Sequence, residues 1–545
     1  MTLYETLADT ISQQIEQGLM LEGEKIPSVR RTSQLHHLSI STVIRAFLLL
    51  ESRGIIESRP QSGYFVRVRN KETVLRKDDN RQDDVPLDVT REAAAMAAMT
   101  TTPLTASMPS YELALSNLRS INCKNSLPLG SPYPDPALFP WARISQLARG
   151  LYRRRERQEL MGALPPGNQE LIRQIARRHL ETGLAINAAE IIITEGATEA
   201  INLCLQAIGK PGDAIAVESP AYYAVLHAIE RRGMHAVAIP TDPETGIDVQ
   251  ALERTITAST DHRIVGCIVM PNFQNPMGFN MPEQRKKALV EMMRRYGLPI
   301  IENDVYGELH FGEQRPKPLK AFDTEGLVLY CSSFSKSLTA EYRIGWTLPG
   351  RYRQEVEHLK FLNTVTTPSL PQIAIAEYLK NEGYDFHLRR LRKTYAQQAR
   401  IMSAAVGRFF PEGTSMSQPD GGYLLWVTLP ANVDALELYS RAQALDISIA
   451  PGPMFSLDGS FTNCLRLNYS FAWNQSLELG VRTLGNIATE LSERKTTGNT
   501  PEAHRARFME AQKAAEAAYA PAPATSSVLS PHPQTFQTTG LTKAS

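Results

Sequence analysis

The segment Leu327-Val-Leu-Tyr-Cys-Ser-Ser-Phe-Ser-Lys336 decides the interpretation of this chain. Its apolar first half predicts a buried strand over residues 327–332, because a short apolar run bounded by small polar residues is typical of a covered sheet. Lys336 follows the end of that strand, where a desolvated amine can form an imine with an aldehyde. The alternative is that Lys336 is a solvated charge in a loop.

A phosphate site is predicted around the same segment. Arg343, expected to begin the next strand, can bind a phosphate together with Ser333 and Ser335. A second contribution is expected from Gly196-Ala-Thr198, which follows a predicted strand over 191–194 and opens a helix. Free amides at a helix N-terminus attract an anion. Taken alone, this second stretch is equally an ordinary strand-to-helix turn.

Three further predicted strands, over 214–218, 264–270 and 298–302, lead to side chains suited to a planar cofactor ring. These side chains are Tyr222, Asn275, Asp304 and Tyr306. An aromatic ring can stack on a planar ring, an amide can donate to a phenolate oxygen, and a carboxylate can pair with a protonated pyridine nitrogen. Each also has an ordinary explanation, as a core aromatic, a turn residue or a helix N-cap.

Arg466 lies in the apolar run Cys464-Leu-Arg-Leu-Asn468, which is predicted to be a strand. A mostly buried arginine needs a carboxylate partner, either from the protein or from a substrate or effector. The alternation of strands and helices predicts an α/β domain over residues 111–490. Because strand ends in open α/β sheets converge at one crevice, these groups together favour a site for pyridoxal 5'-phosphate.

The order and spacing of these groups resemble the fold-type-I aminotransferases over about residues 127–490. The resemblance rests on Asn275-Pro-Met-Gly278, Asp304 with Tyr306, Ser333-Phe-Ser-Lys336 with Arg343, and Arg466-Leu-Asn468. It implies a pyridoxal-phosphate-dependent α/β transferase fold with large and small subdomains, in which Lys336 is the catalytic lysine that binds the cofactor as an imine.

The same resemblance implies roles for the other residues. Asp304 would hold the pyridinium, Asn275 and Tyr306 the ring oxygen, and Tyr222 would stack on the ring. The phosphate would be bound by Gly196, Ala197, Thr198, Ser333 and Arg343, and a carboxylate by Arg466. The chain departs from the pattern at Ala340-Glu341, where relatives often have Pro-Gly. Residues 162–167 also lack the tyrosine that many aminotransferases send to the neighbouring subunit's phosphate.

Residues 1–69 predict a winged helix-turn-helix. Helices are expected over 3–17, from Pro27 to about residue 36, and from the N-cap Ser39 to about residue 53, followed by two short strands that form a wing. Such a head places its third helix in the major groove of DNA. The candidate DNA contacts are Arg30, Ser39, Ser41, Thr42, Arg45, Arg59 and Gly63. The alternatives are a small interaction module with a basic face, or a winged helix that no longer binds DNA.

The head resembles the GntR family through Gly23…Ile26-Pro-Ser-Val-Arg30, Ser39…Thr42-Val43 and Leu50-Glu51…Gly54…Gly63-Tyr-Phe-Val66. It departs from that family at Ile40 and Ile44, where a basic residue or an arginine is common. A GntR-like head joined to an aminotransferase-like body resembles the MocR regulators. That resemblance implies binding to double-stranded DNA, a homodimer and a response to a small amine or amino acid.

Two other functions stay open on the sequence. One is an active aminotransferase with a vestigial head, which the complete catalytic set favours. The other is a sensor of pyridoxal phosphate itself, which would need no amino substrate. Turnover of an amino acid with a 2-oxo acid distinguishes the first from a regulator.

The rest of the composition sets limits. The 545 residues carry a net charge of +1, so any nucleic-acid contact must be local. Five scattered cysteines argue against a metal site or a disulfide framework. With no signal peptide and no apolar run of ~18 residues, we expect a cytoplasmic protein and no membrane contact. Residues 70–110 are interpreted as a linker and residues 495–545 as a disordered tail.

Overall fold

The computed structural model describes residues 3–16, 19–59, 63–67, 110–120, 126–154, 164–181, 183–184, 186–258, 263–381 and 383–494. Almost all of the predicted linker, 70–109, and the whole predicted tail, 495–545, therefore lie outside the described residues.

The head has the predicted order of three helices and two strands. These are α1 (Leu3–Glu16), α2 (Val29–His36), α3 (Ile40–Ser52), β1 (Ile56–Arg59) and β2 (Gly63–Val66). Ser28 and Ser39 cap α2 and α3, each side chain accepting a backbone N–H of the first turn, as serine does at an N-cap. The face of α3 predicted to pack inward is buried, with Phe47 at its centre. The predicted winged helix-turn-helix is confirmed.

The body begins with α4 and continues through alternating helices and strands. Its first half contains α4 (Ser110–Ser120), β3 (Leu127–Pro128), α5 (Trp141–Arg154), α6 (Gln169–Glu181), β4 (Ile192–Thr194), α7 (Gly196–Ile208), β5 (Ala214–Ser219), α8 (Tyr223–Arg231), β6 (His235–Asp242), β7 (Gly246–Ile247), α9 (Val249–Ala258), β8 (Ile264–Val269) and α10 (Glu283–Arg295). Its second half contains β9 (Ile300–Asn303), β10 (Val328–Ser333), β11 (Gly345–Leu348), α11 (Arg353–Thr364), α12 (Ser369–Lys380), α13 (Gly383–Phe409), β12 (Ser415–Met416), β13 (Leu424–Thr428), α14 (Ala435–Gln443), β14 (Ile447–Ser448), β15 (Ala450–Pro451), β16 (Cys464–Asn468) and α15 (Gln475–Glu493).

The large sheet has the strand order β4-β11-β10-β9-β8-β5-β6-β7. Strands β10, β9, β8, β5 and β6 are parallel, and β4 has the same direction because it is antiparallel to β11, which is antiparallel to β10. Strands β5, β8, β9 and β10 are buried almost throughout, as apolar runs covered by helices on both faces should be. The carboxyl ends of five of the predicted strands therefore lie along one edge of the sheet.

The start of β11 differs from the prediction. Arg343 precedes β11 rather than beginning it, and its backbone has φ 50°, in the left-handed region. Because β11 is antiparallel to β10, its beginning lies at the same edge as Ser333. Arg343 therefore lies in a loop rather than in a strand, but it is still beside the strand ends.

A second, smaller sheet has the order β12-β13-β16-β15 and is antiparallel. Arg466 lies on β16, opposite Trp426 of β13 and Ala450 of β15. The predicted α/β fold with large and small subdomains is confirmed. The small sheet supplies the arginine that faces the large sheet's edge.

The head contacts the body through helix α6. Leu19 is buried in the same apolar cluster as Ile172 and Ile175. Glu24 of the head forms an ion pair with Arg173, with 2.6 Å between the carboxylate oxygen and the guanidinium. Both partners are largely shielded from solvent, so this is a packed contact between the head and the body.

No helix in the described part of the chain is long and apolar enough to cross a membrane. The same part holds no cluster of three His, Cys, Asp or Glu residues that could bind a metal ion.

Candidate cofactor site and DNA-binding face

Gly196 and Arg343 form the core of the predicted phosphate site. Gly196 opens α7 directly after β4 and has φ +78°. A Cβ atom at this position would lie 2.6 Å from Nη2 of Arg343, so glycine allows the backbone to approach the guanidinium. Nη1 of Arg343 donates to Oγ of Ser335 at 3.2 Å. Ala197 and Thr198 form the first turn of α7, and Ser333 ends β10.

Lys336 lies inside the crevice. Its Nζ donates to the carbonyl oxygen of Pro132 at 2.9 Å and lies 3.7 Å from the ring centroid of Tyr133. Burial, with help from Arg343 and Arg466, lowers the pKa of Lys336 to about 7. The predicted alternative of a solvated loop lysine does not fit this environment.

Asp304 follows β9 and is 1% exposed. One carboxylate oxygen accepts from Nδ2 of Asn272 at 2.9 Å. The other accepts from Nη2 of Arg315 at 2.6 Å and from the hydroxyl of Tyr330 at 2.9 Å. The predicted alternative of a helix N-cap does not hold, because the carboxylate binds side-chain donors.

Arg315 links Asp304 to a second, partly shielded carboxylate. Its Nη1 lies 3.4 Å from Glu308, which also pairs with Arg178 of α6 and Arg392 of α13. Although burial opposes it, the surrounding guanidinium groups hold the pKa of Glu308 well below its usual range. The Asp304 carboxylate is thus part of an extended network of ion pairs that is mostly shielded from solvent.

Tyr306 and Asn275, two of the predicted ring contacts, lie close together in the crevice. The rings of Tyr306 and Tyr423 are 5.4 Å apart, and the hydroxyl of Tyr423 donates to the carbonyl oxygen of Pro132, which also accepts from Lys336. Asn275 lies near Tyr306 and accepts from Arg466. Tyr222 precedes α8 at the N-cap position, without a capping hydrogen bond from its side chain, and packs against Tyr223 at a centroid distance of 4.7 Å.

Arg466 is fully buried and donates to Oδ1 of Asn275 at 2.9 Å and to the carbonyl oxygen of Gly130 at 2.6 Å. Its guanidinium lies 5.1 Å from the ring centroid of Phe455. Within the described residues it pairs with no carboxylate. The cationic charge is therefore available for a carboxylate that enters the crevice.

Four residues of the crevice are absent from the sequence prediction: Tyr133, Arg315, Tyr423 and Phe455. Tyr133 lies in a Gly-Ser-Pro-Tyr loop, and Arg315 lies in a loop rich in proline and lysine. Neither follows a predicted strand, so no local pattern indicates them. They reach the site through contacts between parts of the chain that are far apart in sequence.

On the head, the hydroxyls of Ser39, Ser41 and Thr42, which are predicted to contact DNA, lie within hydrogen-bond distance of one another. Oγ of Ser39 accepts the backbone N–H of Thr42 at 3.2 Å and lies 2.8 Å from the hydroxyls of both Ser41 and Thr42. Arg45 is exposed on the next turn of α3. These serine and threonine hydroxyls therefore complete the cap of α3.

The predicted contacts outside α3 lie at the start of α2 and in the wing. Arg30 is in the first turn of α2. Arg59 pairs with Glu57 at 2.7 Å and lies 4.4 Å from the ring centroid of Phe65. Gly63 is opposite Arg59 in the β1–β2 register and has φ +99°. A backbone in this region favours glycine.

Comparison with known proteins gives both parts of the chain a family. Residues 3–66 match the family described as bacterial regulatory proteins, gntR family, and residues 143–478 match aminotransferase class I and II. The chain is also 37% identical to YdcR of Escherichia coli, described as an uncharacterized HTH-type transcriptional regulator. That match covers 90% of this chain and 100% of the relative. The chain belongs to the MocR type of the GntR family.

Solved structures match the body of this MocR-type chain. Kynurenine aminotransferase of Pyrococcus horikoshii, solved with PMP, is 28% identical with a TM-score of 0.64, over 69% of this chain and 94% of that one. LysN, an α-aminoadipate aminotransferase of Thermus thermophilus solved with N-(5'-phosphopyridoxyl)-L-leucine, is 29% identical with a TM-score of 0.63. That match covers 71% of this chain and 97% of the other. The MocR-type body thus has the aminotransferase fold.

The lowered pKa of Lys336 predicts how the rate of pyridoxal phosphate capture depends on pH. Below about pH 7 the amine becomes protonated, and each further pH unit reduces its neutral, nucleophilic fraction about tenfold. We expect the rate to rise steeply up to about pH 7 and to level off above it. Stopped-flow absorbance measures this rate, with Nα-acetyl-lysine as the reference amine. A rate that climbs to pH 10 as the reference does would contradict the lowered pKa.

Proposed function

We propose that this protein is a transcription regulator that binds double-stranded DNA through its head and holds pyridoxal phosphate on Lys336. The main support for DNA binding is the distribution of charge in the head. From Lys25 to Leu50, the segment that contains α2 and most of α3, there are four Lys or Arg residues and no Asp or Glu. Three of those cations, Arg30, Arg31 and Arg45, lie in α2 and α3, the elements that a winged helix presents to DNA.

The residues of the crevice fit pyridoxal phosphate. Gly196 leaves space that a Cβ would fill against Arg343, and that pair with Ser335 suits a phosphate. Lys336 has a lowered pKa, which suits an amine that reacts with an aldehyde, and Asp304 is a buried carboxylate at a strand end. When bound, the cofactor supplies an aldehyde that reacts with primary amines. The protein's part would be to lower the pKa of the Lys336 amine and to orient the ring through Asp304, Asn275, Tyr306 and Tyr222.

The effector is proposed to be a small amine or amino acid. Aldehyde chemistry at Lys336 would select a primary amine, and the carboxylate of an amino acid would bind Arg466, which donates to Asn275 and Gly130 and has no carboxylate partner among the described residues. Helix α6 contacts both the head, through Arg173, and the network that reaches Asp304, through Arg178. A change at Asp304 therefore has a structural route to the head, and coupling requires that the effector favour one arrangement of the two.

A homodimer is part of the proposal. Beside the phosphate site, an open cavity of about 460 Å³ is lined by Glu195, Thr198 and Arg343. Near its rim, α11 exposes Phe361 and Leu362. Exposed apolar side chains next to an open functional cavity suit an interface with a second copy. Sedimentation velocity tests the dimer. The expected cytoplasmic location rests on the proposed role at the chromosome.

Arg45→Ala tests DNA binding. Fragments of genomic DNA retained by the purified full-length protein are sequenced, and the affinity for a selected fragment is measured by fluorescence anisotropy. We expect Arg45→Ala to weaken binding by about tenfold or more, as loss of a groove-facing arginine does. Arg53→Ala is the matched control, because Arg53 pairs with Asp9 of α1, and it should stay within about twofold. Failure of the unmodified protein to retain any fragment would refute the proposal.

An aminotransferase is the second candidate function. It is favoured by the crevice, which contains Lys336 with a pKa of about 7 and Arg466 with no carboxylate partner among the described residues. Incubation with an amino acid and a 2-oxo acid, followed by detection of the new amino acid, tests it. Multiple turnovers without any DNA binding would favour the enzyme, whereas DNA affinity that changes with the amino acid would favour the regulator.

A further inference from the structure

The outward face of α3 carries an apolar stripe. Ile40, Ile44 and Leu48 recur every fourth residue and are 50%, 40% and 52% exposed. Residues four apart lie on one face of a helix, roughly 6 Å apart along its axis. Exposed apolar side chains in a row are uncommon on a helix with no partner, so the stripe is expected to meet something.

The hydroxyl side chains near this face that could bind DNA already form hydrogen bonds within the cap of α3. The hydroxyls of Ser39, Ser41 and Thr42 bind one another and the first turn of α3. Ser41 is exposed but its hydroxyl lies against that of Ser39, so Arg45, Ile40 and Ile44 are the exposed side chains of the first two turns that take no part in the cap. In helix-turn-helix proteins, those are the turns that face the base edges.

The positive charge around the apolar stripe favours DNA over a second head as its partner. No Asp or Glu lies between Lys25 and Leu50, and Arg45 is next to Ile44. A second head would bring like charges together, whereas the phosphates that flank a DNA groove are complementary to this face. The apolar group that DNA offers in the major groove is the C5 methyl of a pyrimidine.

We infer that Ile40 and Ile44 read pyrimidine C5 methyl groups in the major groove, so that thymines specify the operator at the positions facing α3. The separation of roughly 6 Å between the two side chains matches about two base-pair steps of 3.4 Å. The inference rests on the proposed DNA binding, which it deepens by naming what the head recognises.

The test removes the methyl group from the DNA rather than from the protein. In a fragment selected with the full-length chain, each thymine of the half-site is replaced in turn by deoxyuridine, and affinity is measured by anisotropy. At one or two positions we expect about fourfold weaker binding, the effect of leaving one methyl group unburied. At the same positions, a 5-methylcytosine–guanine pair should bind more tightly than a cytosine–guanine pair.

Ile44→Ala completes the experiment. In this variant the thymine and uracil versions should bind equally at one of the sensitive positions, while Leu3→Ala, which shortens an exposed side chain of α1, should keep the difference. The proposal is overturned by equal binding of thymine and uracil DNA to the unmodified protein. It is also overturned by a difference that persists in both Ile40→Ala and Ile44→Ala, which would locate the effect in DNA shape. Loss of self-association in Ile44→Ala would identify the stripe as a protein interface and overturn it too. Absence of any DNA binding is a separate result, and it refutes the proposed function itself.

Discussion

Replacing Lys336 with alanine is expected to abolish the visible absorbance that pyridoxal phosphate gains when it joins this protein. No other described lysine lies against Tyr133 and the carbonyl oxygen of Pro132. An amine whose pKa lies near 7 has a much larger neutral fraction at physiological pH than an ordinary lysine, so it should capture the aldehyde readily. We expect the band to disappear completely rather than weaken, since alanine offers no amine.

The control for this experiment is Lys210→Ala. Lys210 is an exposed lysine at the end of α7, away from the crevice, and its removal should leave the band unchanged. Equilibrium dialysis then shows whether Lys336→Ala still binds the cofactor without the covalent bond. A Lys336→Ala protein that keeps the band would mean that another amine holds the cofactor. A band absent from the unmodified protein would mean that the body does not use it.

Local patterns were sufficient to predict most of the fold. The strand ends at Gly196, Asn275, Asp304 and Lys336 were predicted from short apolar runs followed by polar residues, and the parallel sheet does bring them to one edge. The start of β11 was predicted wrongly because Arg343 adopts a left-handed backbone conformation, which an Arg-Ile-Gly sequence does not reveal. Boundaries of this kind depend on tertiary contacts rather than on periodicity.

The partners of the site residues were harder to predict. The sequence predicts that Asp304 pairs with a pyridine nitrogen. In the structure its carboxylate also accepts hydrogen bonds from Arg315, Tyr330 and Asn272. Arg315 is separated from Asp304 by a loop whose path is set by packing, so its side chain could not be located from sequence. Likewise, the capping of α3 was predicted from Ser39, but not that its cap would also involve Ser41 and Thr42. The homodimer and the effector stay predictions.

Asp304→Asn is expected to have the second largest effect on the cofactor. Asparagine keeps the size of the side chain but removes the negative charge that a protonated pyridine nitrogen requires. Removing one partner of a buried, hydrogen-bonded charge pair costs about 2–5 kcal/mol. We therefore expect the dissociation constant for pyridoxal phosphate to rise about a hundredfold, as measured by fluorescence titration.

The same substitution leaves Arg315 with Glu308 as its only carboxylate partner in the described residues, at 3.4 Å. Unfolding of the cofactor-free protein in urea should therefore show a loss of about 1–3 kcal/mol, because a buried donor loses part of its partnership. Asp323→Asn is a matched control. Asp323 is also buried and pairs with Lys320 at 3.0 Å, but it accepts from the backbone at the opposite end of β10.

The two variants distinguish a role toward the cofactor from a structural role. Both should lower the free energy of unfolding, since each breaks a shielded ion pair. Only Asp304→Asn should weaken cofactor binding by more than about threefold. Of the two carboxylates, only that of Asp304 lies at the edge of the sheet that carries Gly196 and Lys336. If Asp323→Asn weakens the cofactor equally, or if Asp304→Asn binds it normally while unfolding more easily, then Asp304 serves the ion-pair network of Arg315 and Glu308 and does not hold the pyridine nitrogen.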